Sequence, residues 1–419
     1  MFLYNIFLLL FRASVHVAAL FKPKAKKWIQ GRKGIFEQLE KAVSPGQKII
    51  WMHCASLGEF EQGRPVLEKL KLHYPEYRIL LTFFSPSGYE VRKNYDGADW
   101  VFYLPMDGSA RSKRFLQIVQ PSLVIFVKYE FWYYYLKKIK YGNIPLLLIS
   151  AYFKKKPSLL NPYNRLKWKM LSRFDHLFVQ TEGSKKIADA LGLSEITSIS
   201  GDTRFDRVKE IADKFEPIPG IESFTANKKT IVAGSTWPDD DEVLGNTYTQ
   251  LQKRDIKIII APHELSERVF DDIERRFPGA IRYSQLSDVA SDANCLIIDN
   301  IGMLSRLYRY ADITYVGGGL TRNGVHNVLE AAVYSKVVLF GPYYSDYSEA
   351  VDLVKTGGGI SFSDEKKDGK KLAAIISELM DNEPDYKQRC SAAGNFVQSS
   401  TGATDKILSF IQEKRLLTN

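Results

Sequence analysis

The sequence predicts an α/β protein with two doubly wound domains. Two series of short apolar segments alternate with helical segments, one series starting at Lys48 and the other at Thr230. Strands that are nearly continuous apolar runs are typical of parallel sheets covered by helices on both faces. Residues 213–229 separate the two series, contain Glu216-Pro-Ile-Pro-Gly220 and are predicted to be a linker. The 419 residues are ample for two domains.

Each predicted strand is an apolar run followed by a turn and a helical segment. The runs of the first series are Ile49–Ala55, Ile79–Phe84, Trp100–Leu104, Leu123–Val127, Leu146–Ile149, Leu177–Val179 and Thr197–Ile199. Those of the second are Thr230–Ala233, Lys257–Ala261, Cys295–Ile298, Ile313–Val316 and Val337–Phe340. We therefore predict Rossmann-like domains at residues 31–212 and 230–400. Residues 401–419 are predicted to form a C-terminal helix, for which packing back onto the N-terminal domain is one arrangement.

Residues 1–30 are predicted to associate with a membrane. The segment from Phe2 to Phe21 is apolar apart from Asn5, Arg12 and His16, and roughly 20 apolar residues suffice to span a bilayer. The basic cluster that follows, which favours an anionic cytoplasmic leaflet, consists of Lys22, Lys24, Lys26, Lys27, Arg32 and Lys33. Three alternatives stay open: a spanning anchor, a helix lying in the interface, and a buried first helix of the domain.

The charge and the cysteines narrow the class of protein. A net charge of +10 suits an anionic membrane surface or an anionic substrate, and is also compatible with no special partner. The absence of zinc-finger spacing and of an RNP-type motif disfavours nucleic acid. The three cysteines, Cys54, Cys295 and Cys390, are too far apart for a metal motif or a disulfide framework, which is typical of a reducing compartment.

The candidate site residues directly follow predicted strands, because ligands of doubly wound sheets bind at the carboxyl ends of the strands. They are Ser56 and Glu59 in Ser-Leu-Gly-Glu, Ser85, Glu130, Arg204, Ser235, Thr236 and Pro262-His-Glu264. Glu59 has two interpretations. It is either a general base for an incoming hydroxyl group, or an acid that the helix dipole favours at a helix start. Glu130 is likewise either structural or directed towards a ligand.

A glycine-rich loop marks the second series. Gly317, Gly318 and Gly319 follow a strand, and a helical run from Val328 to Tyr334 comes after a polar turn. Such a loop either lets a ligand approach the backbone and offers N–H groups to an anion, or simply forms a tight corner. Glu330, in the first turn of the helix, is placed to accept hydrogen bonds from sugar or ribose hydroxyls.

Other polar groups have competing interpretations. In the second series, Gly234-Ser-Thr236 is suited to hold a phosphate. Arg204, which precedes that series, is suited to neutralise the phosphate charge, although most arginines are surface residues. The acids from Asp239 to Glu242 are interpreted as the solvated first turn of a helix rather than a metal site. His263 and His326 are interpreted as structural, and no group of acids and histidines has metal-binding spacing.

Six motifs together carry a family resemblance. They are Trp51-Met-His-Cys-Ala-Ser-Leu-Gly-Glu59, Tyr129-Glu-Phe-Trp132, Gly201-Asp-Thr-Arg-Phe-Asp206, Gly234-Ser-Thr236, Val316-Gly-Gly-Gly319 with Gly324-Val-His-Asn-Val-Leu-Glu-Ala-Ala332, and Leu339-Phe-Gly-Pro342. In order and spacing they resemble the 3-deoxy-D-manno-octulosonic acid (Kdo) transferases of lipopolysaccharide inner-core synthesis, over nearly the whole chain. Three positions depart from the family pattern. The family usually has an Arg-His pair at Pro262-His-Glu264, Asn-Pro-Leu-Glu at Asn327–Glu330 and Thr-Glu-Leu-Trp at Tyr129–Trp132.

The resemblance implies a fold, a reaction and a location. It implies the two-domain GT-B architecture, a CMP-Kdo donor held mostly by the C-terminal domain, and a lipid A precursor, lipid IV-A, as acceptor at the cytoplasmic face of the inner membrane. It implies a single inverting displacement with Glu59 as base, and neither a metal nor another cofactor is expected. The implied donor-binding residues are Arg204, Ser235, Thr236, Gly317, Gly318, Gly319, Asn327 and Glu330. The residues that the resemblance places on the acceptor side, or gives a structural role, are Glu130, Ser56 and Ser85.

Two other functions compete with this interpretation. The first is another GT-B enzyme that uses a UDP-sugar, either a glycosyltransferase or a 2-epimerase, which would share the glycine loop and Glu330. The second is a non-enzymatic membrane-surface binding protein that uses the basic cluster, for which Glu59 would be dispensable.

Overall fold

The computed structural model describes residues 2–128, 131–153, 165–226, 228–286 and 292–418. The chain forms two compact units. Unit 1 comprises Met1–Asp206 and Gly402–Asn419, and unit 2 comprises Arg207–Thr401. Each unit contains a parallel sheet with helices between the strands, which confirms the predicted α/β class with two such sheets.

Unit 1 is built from helices and strands in alternation. Its strands are β1 (Ile49–Cys54), β2 (Arg78–Phe83), β3 (Trp100–Tyr103), β4 (Leu123–Val127), β5 (Leu146–Ala151), β6 (His176–Val179) and β7 (Thr197–Ile199). Its helices are α1 (Phe2–Ala18), α2 (Pro23–Gln30), α3 (Ile35–Ala42), α4 (Leu57–His73), α5 (Pro86–Arg92), α6 (Ser109–Val119), α7 (Tyr133–Tyr141), α8 (Arg165–Leu171), α9 (Glu182–Ala190), α10 (Thr203–Asp213) and, from the C-terminus, α19 (Ala403–Glu413). The border between the units falls inside α10.

The sheet of unit 1 has the order β3-β2-β1-β4-β5-β6-β7, with parallel pairing. The order reverses between β1 and β4, which is the topological switch point where ligands bind in such sheets. The register brings the carboxyl ends of these strands level, since Cys54 lies opposite Phe83 and His53 lies opposite Phe126. The loops after β1 and β2 and the carboxyl end of β4 therefore meet at one edge.

Apolar side chains cover both faces of this sheet. On one face Trp51 and Phe126 pack with Phe115 of α6. On the other face Ile50 belongs to a cluster that includes Ile407 of α19. Successive side chains of a strand point to opposite faces, so neighbouring residues of β1 contribute to two different cores.

Helix α1 is buried on one face and exposed on the other. Tyr4 and Leu8 lie in the core of unit 1, and the Tyr4 hydroxyl donates a 2.7 Å hydrogen bond to Asp107. Leu9 and Leu10 are 70% and 61% exposed, so a wholly buried first helix is ruled out. Among the helices in the described ranges, none combines the length and the apolarity needed to cross a bilayer.

The C-terminal helix α19 belongs to unit 1 and is fixed there at its N-terminus. One carboxylate, that of Asp206, accepts hydrogen bonds of 2.6 Å from Gly402 N, Thr404 N and Thr404 Oγ1. The first N–H groups of a helix have no partner inside the helix, so this carboxylate satisfies two of them and favours the positive end of the helix dipole.

Unit 2 repeats the alternation. Its strands are β8 (Thr230–Thr236), β9 (Lys257–Pro262), β10 (Ile281–Arg282), β11 (Cys295–Ile297), β12 (Ile313–Val316), β13 (Val337–Phe340) and β14 (Gly359–Ser361). Its helices are α11 (Ile221–Thr225), α12 (Pro238–Leu251), α13 (Glu267–Arg276), α14 (Leu304–Leu307), α15 (Leu329–Ala332), α16 (Ser348–Lys355), α17 (Lys370–Asp381) and α18 (Glu383–Ser399). Helix α11 lies inside the segment predicted to be a linker, and its Ile221 and Phe224 are buried.

The sheet of unit 2 has the order β10-β11-β9-β8-β12-β13-β14, again with parallel pairing, and reverses between β8 and β12. One face is covered by α12, α13 and α17 through Leu244, Ile273 and Ile376. Two short strands, β10 and β14, were not predicted, because they are only two and three residues long and carry no apolar run.

The first turn of α12 differs from its prediction. The acids from Asp239 to Glu242 were expected to be solvated, yet Asp240 is 0% and Asp241 is 2% exposed. Burial raises the pKa of Asp241 to about 7, and the neighbouring Asp240 carboxylate adds to the rise, while Thr236 and Arg276 oppose it. Asp241 is therefore a buried carboxyl group whose neutral form the folded protein favours.

We predict that Asp206→Ala destabilises unit 1 and loosens α19. Three hydrogen bonds to one carboxylate are lost, at a cost of about 2 kcal/mol in the free energy of unfolding. Urea denaturation measures the stability, and limited proteolysis measures the release of residues 402–418.

The matched control is Asp405→Ala, which removes a carboxylate in the first turn of the same helix. Asp405 is exposed and, in the part of the chain that the structure describes, pairs with Lys69 across the surface, so the expected cost is below about 1 kcal/mol. Equal costs for the two variants would contradict the capping role of Asp206.

We predict that Asp241→Asn flattens the pH dependence of stability in unit 2. In the unfolded chain this carboxyl group ionises near its ordinary pKa, whereas in the folded protein it keeps its proton up to about pH 7. The contribution of Asp241 to the free energy of unfolding therefore falls as pH rises from about 4 to 7 and levels off above that range. Denaturation of the wild type and the variant at pH 5 and pH 8 measures how much the free energy of unfolding of each changes between the two pH values.

The control is Glu365→Gln, which removes an exposed carboxylate of the same unit. It is expected to keep the wild-type pH profile. If Asp241→Asn instead shows the same pH dependence of stability as the wild type, the buried carboxyl group of Asp241 is not the source of that dependence.

Candidate active site

In unit 1, the candidate residues after β1 lie at the switch point of the sheet. Ser56 and Glu59 occupy the loop and the first turn of α4, and both are half-buried. Glu59 Oε2 accepts a 2.7 Å hydrogen bond from Ser56 N and a 3.1 Å hydrogen bond from Ser56 Oγ. This is a capping box, in which the fourth residue of Ser-x-x-Glu satisfies the backbone at the helix start.

The capping box explains part of the Ser-Leu-Gly-Glu motif without any ligand. It also holds the Glu59 carboxylate in one orientation at the N-terminus of α4. A carboxylate fixed in this way at a switch point is suited to take a proton from a hydroxyl group. The structural and the catalytic interpretations of Glu59 are therefore compatible.

The loop after β2 adjoins the loop after β1. Ser85 N donates a 2.7 Å hydrogen bond to Ala55 O, so the two loops are joined through their backbones. The Ser85 hydroxyl accepts from Ser87 N at 3.3 Å and caps α5. Tyr129 and Glu130, predicted to follow β4 at the same edge, lie outside the described residues.

Arg204 lies at the start of α10, in unit 1. Its guanidinium group makes a 2.7 Å ion pair with Asp202, which is buried. Burial alone would raise the pKa of Asp202, but Arg204 and Lys128 hold it below its usual value. The Thr203 hydroxyl donates to the carbonyl of Gln62 in α4, so the start of α10 lies against the helix that carries Glu59.

In unit 2, the glycine loop follows β12 at the switch point with β8. A Cβ on Gly317 would lie 2.3 Å from the carbonyl oxygen of Ser235, and Gly318 has φ of +87°. Gly317 N donates to Gly234 O at 2.9 Å, and Gly318 N donates to Asp240 at 2.8 Å. These two glycines thus allow a close approach between segments of the protein itself, and their N–H groups are used within unit 2.

Asp240 organises this corner. Its carboxylate accepts hydrogen bonds from Tyr315 Oη at 2.6 Å, Gly318 N at 2.8 Å and Trp237 N at 2.9 Å. Burial raises the pKa of Asp240, and the three donors partly oppose that rise. This role of Asp240 was not predicted, because no local pattern connects it to Gly318, 78 residues later.

Three rings form a second feature at the same edge. Trp237 Nε1 donates a 2.8 Å hydrogen bond to His326 Nε2, and the two rings are nearly coplanar, at 9°. His263 stacks on both, with ring centroids 4.6 Å from each. Burial, and then His263, lower the pKa of His326 to about 4, so His326 is neutral and carries its proton on Nδ1. The structural interpretation of the two histidines agrees with this stacking.

The segment after the glycine loop is less helical than predicted. Helix α15 spans only Leu329–Ala332, a single turn, so its dipole is small. Asn327 Nδ2 donates to Glu330 Oε1 at 3.0 Å, and Asn327 Oδ1 accepts from Leu329 N at 3.3 Å. Both predicted donor-binding side chains are thus neighbours and half-buried.

Ser235 and Thr236 lie at the end of β8, as part of the strand. Ser235 is half-buried and has φ of +53°, whereas Thr236 is only 2% exposed. The predicted phosphate contact is consequently sterically easier for Ser235 than for Thr236. Among the described residues, no group of three or more His, Cys, Asp or Glu side chains is arranged to hold a metal ion.

Solved structures show which fold this is. A UDP-N-acetylglucosamine 2-epimerase from Listeria monocytogenes superposes with a TM-score of 0.61 at 14% identity, over 89% of this chain and 98% of that one. A glycosyltransferase from Rickettsia africae gives a TM-score of 0.54 at 13% identity, over 89% of this chain and 100% of that one. At such low identity the likeness concerns the fold alone, and it is a fold of the GT-B type.

Sequence comparisons show which family the chain resembles. The family model described as 3-deoxy-D-manno-octulosonic-acid transferase matches residues 28–207. The 3-deoxy-D-manno-octulosonic acid transferase of Aquifex aeolicus is 29% identical over 346 residues, which is 81% of this chain and 89% of that protein. That of Haemophilus influenzae is 24% identical over 401 residues, 93% of this chain and 92% of that protein. The matched region contains the capping-box glutamate at the switch point of unit 1, and over most of its length the chain is similar to Kdo transferases.

Proposed function

We propose that this protein transfers Kdo from CMP-Kdo to a hydroxyl group of a lipid A precursor, lipid IV-A, with inversion at the anomeric carbon. The observation that carries the proposal is the Ser-Leu-Gly-Glu turn. It lies inside the region that matches the family model, and it places the Glu59 carboxylate at the carboxyl edge of β1. The similarity to Kdo transferases supports Kdo transfer in lipopolysaccharide synthesis, and the donor, the acceptor and the base are our proposal.

In the proposed reaction Glu59 accepts the proton of the acceptor hydroxyl as the oxygen attacks the anomeric carbon of Kdo. The bond from that carbon to the phosphate oxygen of CMP breaks, and CMP leaves as an anion. Because a phosphate is already stable as an anion, positive charge and N–H donors suffice to stabilise it, and the scheme needs neither a metal nor a general acid.

The proposed donor contacts in unit 2 are four side chains. Ser235 and Thr236 supply hydroxyl groups, Asn327 contacts the donor phosphate or sugar, and Glu330 accepts hydrogen bonds from the ribose. For Arg204, in unit 1, the family resemblance alone suggests that it supplies positive charge to the donor. In the glycine loop, Gly317 and Gly318 shape the corner, since their N–H groups are already engaged. Gly319 is packed against the backbone of Gly341, so we propose for it a contact to the donor through its N–H group alone.

The exposed apolar face of α1 supports a membrane location. Six large apolar residues of residues 2–21 are at least 60% exposed, namely Phe2, Leu9, Leu10, Val17, Leu20 and Phe21. The basic cluster follows directly, and such a combination lies in the membrane interface rather than across it. We propose that α1 rests in the cytoplasmic leaflet of the inner membrane while its other face stays in the core of unit 1.

We predict that Glu59→Gln lowers turnover by at least about 100-fold while the protein stays folded. Glutamine preserves the size of the side chain and an oxygen that can accept from Ser56, but it cannot act as a base. The assay incubates purified protein in detergent with CMP-Kdo and a tetra-acylated lipid A precursor, without added metal, and mass spectrometry detects Kdo on the acceptor.

The matched control is Ser56→Ala, which removes the hydroxyl of the capping box and keeps the carboxylate. It is expected to cost about 1 kcal/mol of stability and to retain far more activity than Glu59→Gln. An active Glu59→Gln would reject Glu59 as the base.

The same assay separates the competing functions. The fold likeness to a UDP-N-acetylglucosamine 2-epimerase makes UDP-sugars the alternative donors to test. Turnover of a UDP-sugar with none of CMP-Kdo would favour that alternative. Membrane binding without any turnover, unchanged in Glu59→Gln, would favour a non-enzymatic surface protein.

We predict that Leu9→Gln/Leu10→Gln abolishes most binding to anionic vesicles without unfolding unit 1. Both side chains are exposed, so their replacement removes apolar area that only the bilayer would bury. Vesicle co-sedimentation measures binding, and thermal denaturation measures folding.

The control is Leu72→Gln, which changes an equally exposed leucine, 77% exposed, on α4. It is expected to bind vesicles as the wild type does. Wild-type binding by the α1 variant would place the membrane contact elsewhere.

A further inference from the structure

A cationic pocket lies in unit 1 beside α1. It has a volume of about 340 Å³ and is bounded by α1, by the segment from α2 to α3, by the loop after β3 and by the first turn of α6. The charged and titratable residues that line it are Arg12, His16, Arg32, Lys33, Glu37 and Arg111. Four cationic side chains thus surround one carboxylate.

The cations of this pocket are not neutralised by the protein. Within the described chain, the side chains of Arg12, Lys33 and Arg111 make neither an ion pair nor a hydrogen bond. The one carboxylate, that of Glu37, lies 3.6 Å from Arg114, a residue outside the pocket lining. The site therefore carries an excess of positive charge that an anion would balance.

Arg32 forms a rigid wall of the pocket. Its guanidinium group donates to the carbonyls of Leu104 at 2.9 Å, Phe84 at 2.8 Å and Trp28 at 3.1 Å. It also lies over the Trp28 ring, 3.9 Å from the centroid. Burial lowers the pKa of Arg32 to about 9, so its guanidinium group stays charged at neutral pH, and its neutral partners fix its position next to the pocket.

The pocket also adjoins the apolar face of α1. The buried stripe of this helix contains Tyr4, Leu8 and Val15, and the exposed apolar face contains Leu9 and Val17. Helical neighbours recur every three or four residues, so Arg12 and His16 form a stripe between these two faces. A molecule in the pocket would have its charged part at Arg12 and any acyl chains along Leu9 and Val17.

We propose that this pocket binds the phosphate monoester of a membrane lipid headgroup. A phosphate monoester carries about −1.5 to −2 charges at neutral pH and three acceptor oxygens, which arginine and lysine recognise by charge-assisted hydrogen bonds. The adjoining apolar face selects a lipid over a soluble phosphate. The proposal rests on the proposed membrane location of α1, and assigns to this edge of unit 1 a lipid contact separate from Glu59.

The test compares vesicles that contain phosphatidic acid, a monoester, with vesicles that contain phosphatidylglycerol, a diester, at matched surface charge. The full-length wild type is expected to bind the monoester vesicles about tenfold more tightly. Arg12→Gln/Arg111→Gln is expected to lose that preference. The absence of a preference in the wild type would overturn the proposal.

The matched control is Lys24→Gln/Lys26→Gln, which removes two exposed cations outside the pocket. It is expected to weaken binding to both kinds of vesicle about equally, by roughly tenfold or more, and to keep the preference. If this control loses the preference as completely as the pocket variant does, the basic surface as a whole is responsible, and the pocket proposal fails.

Two further arms separate this proposal from the proposed function. Binding of short-chain, monomeric phosphatidic acid, measured calorimetrically, tests the pocket without a membrane, so a failure of α1 to bind vesicles leaves the pocket testable. If inorganic phosphate binds with the same affinity as short-chain phosphatidic acid, the lipid part of the proposal is overturned. Neither arm contains CMP-Kdo or an acceptor, and their outcome is independent of the transferase assay.

Discussion

The constraint on which the rest of this structure depends is the parallel pairing of strands in both sheets. Parallel strands must be connected by helices that return over a face of the sheet, and such connections bring every carboxyl end to the same edge. In unit 1 that edge collects the loops after β1 and β2, joined by the hydrogen bond from Ser85 N to Ala55 O. In unit 2 it collects the glycine loop, Asp240 and the stacked rings of Trp237, His263 and His326.

The strands themselves could be predicted from the sequence because burial on both faces leaves a continuous apolar run. Strands β4, β12 and β13 have the predicted ends at both termini. Strands β10 and β14 have no such apolar run. They are two and three residues long, and most of their residues are half-buried. Short strands of this kind are specified by the neighbouring strand and not by their own composition.

The candidate site was predictable as a set of loops but not as a set of contacts. Glu59 and its Ser56 partner are three residues apart, so a capping box is visible in the sequence. Asp240 is different, since an acid in the first turn of a helix is ordinarily solvated, and its partners Tyr315 and Gly318 become neighbours only when β8 and β12 pair. The reason for three consecutive glycines was likewise hidden, because the backbone that excludes a Cβ at Gly317 belongs to β8.

Helix α1 has one face in the core of unit 1 and another that is proposed to contact the membrane. Its buried stripe contacts the loops at the carboxyl edge of unit 1, since Tyr4 bonds to Asp107 after β3, and Phe11 packs on Phe84 after β2. The loop after β2 is joined in turn to the loop after β1, which leads into the helix start that carries Glu59. The exposed apolar face of α1 and the candidate base therefore belong to the same edge of one sheet. A displacement of α1 would therefore act first on the loops after β2 and β3, and would reach the helix that carries Glu59 only through the hydrogen bond from Ser85 N to Ala55 O.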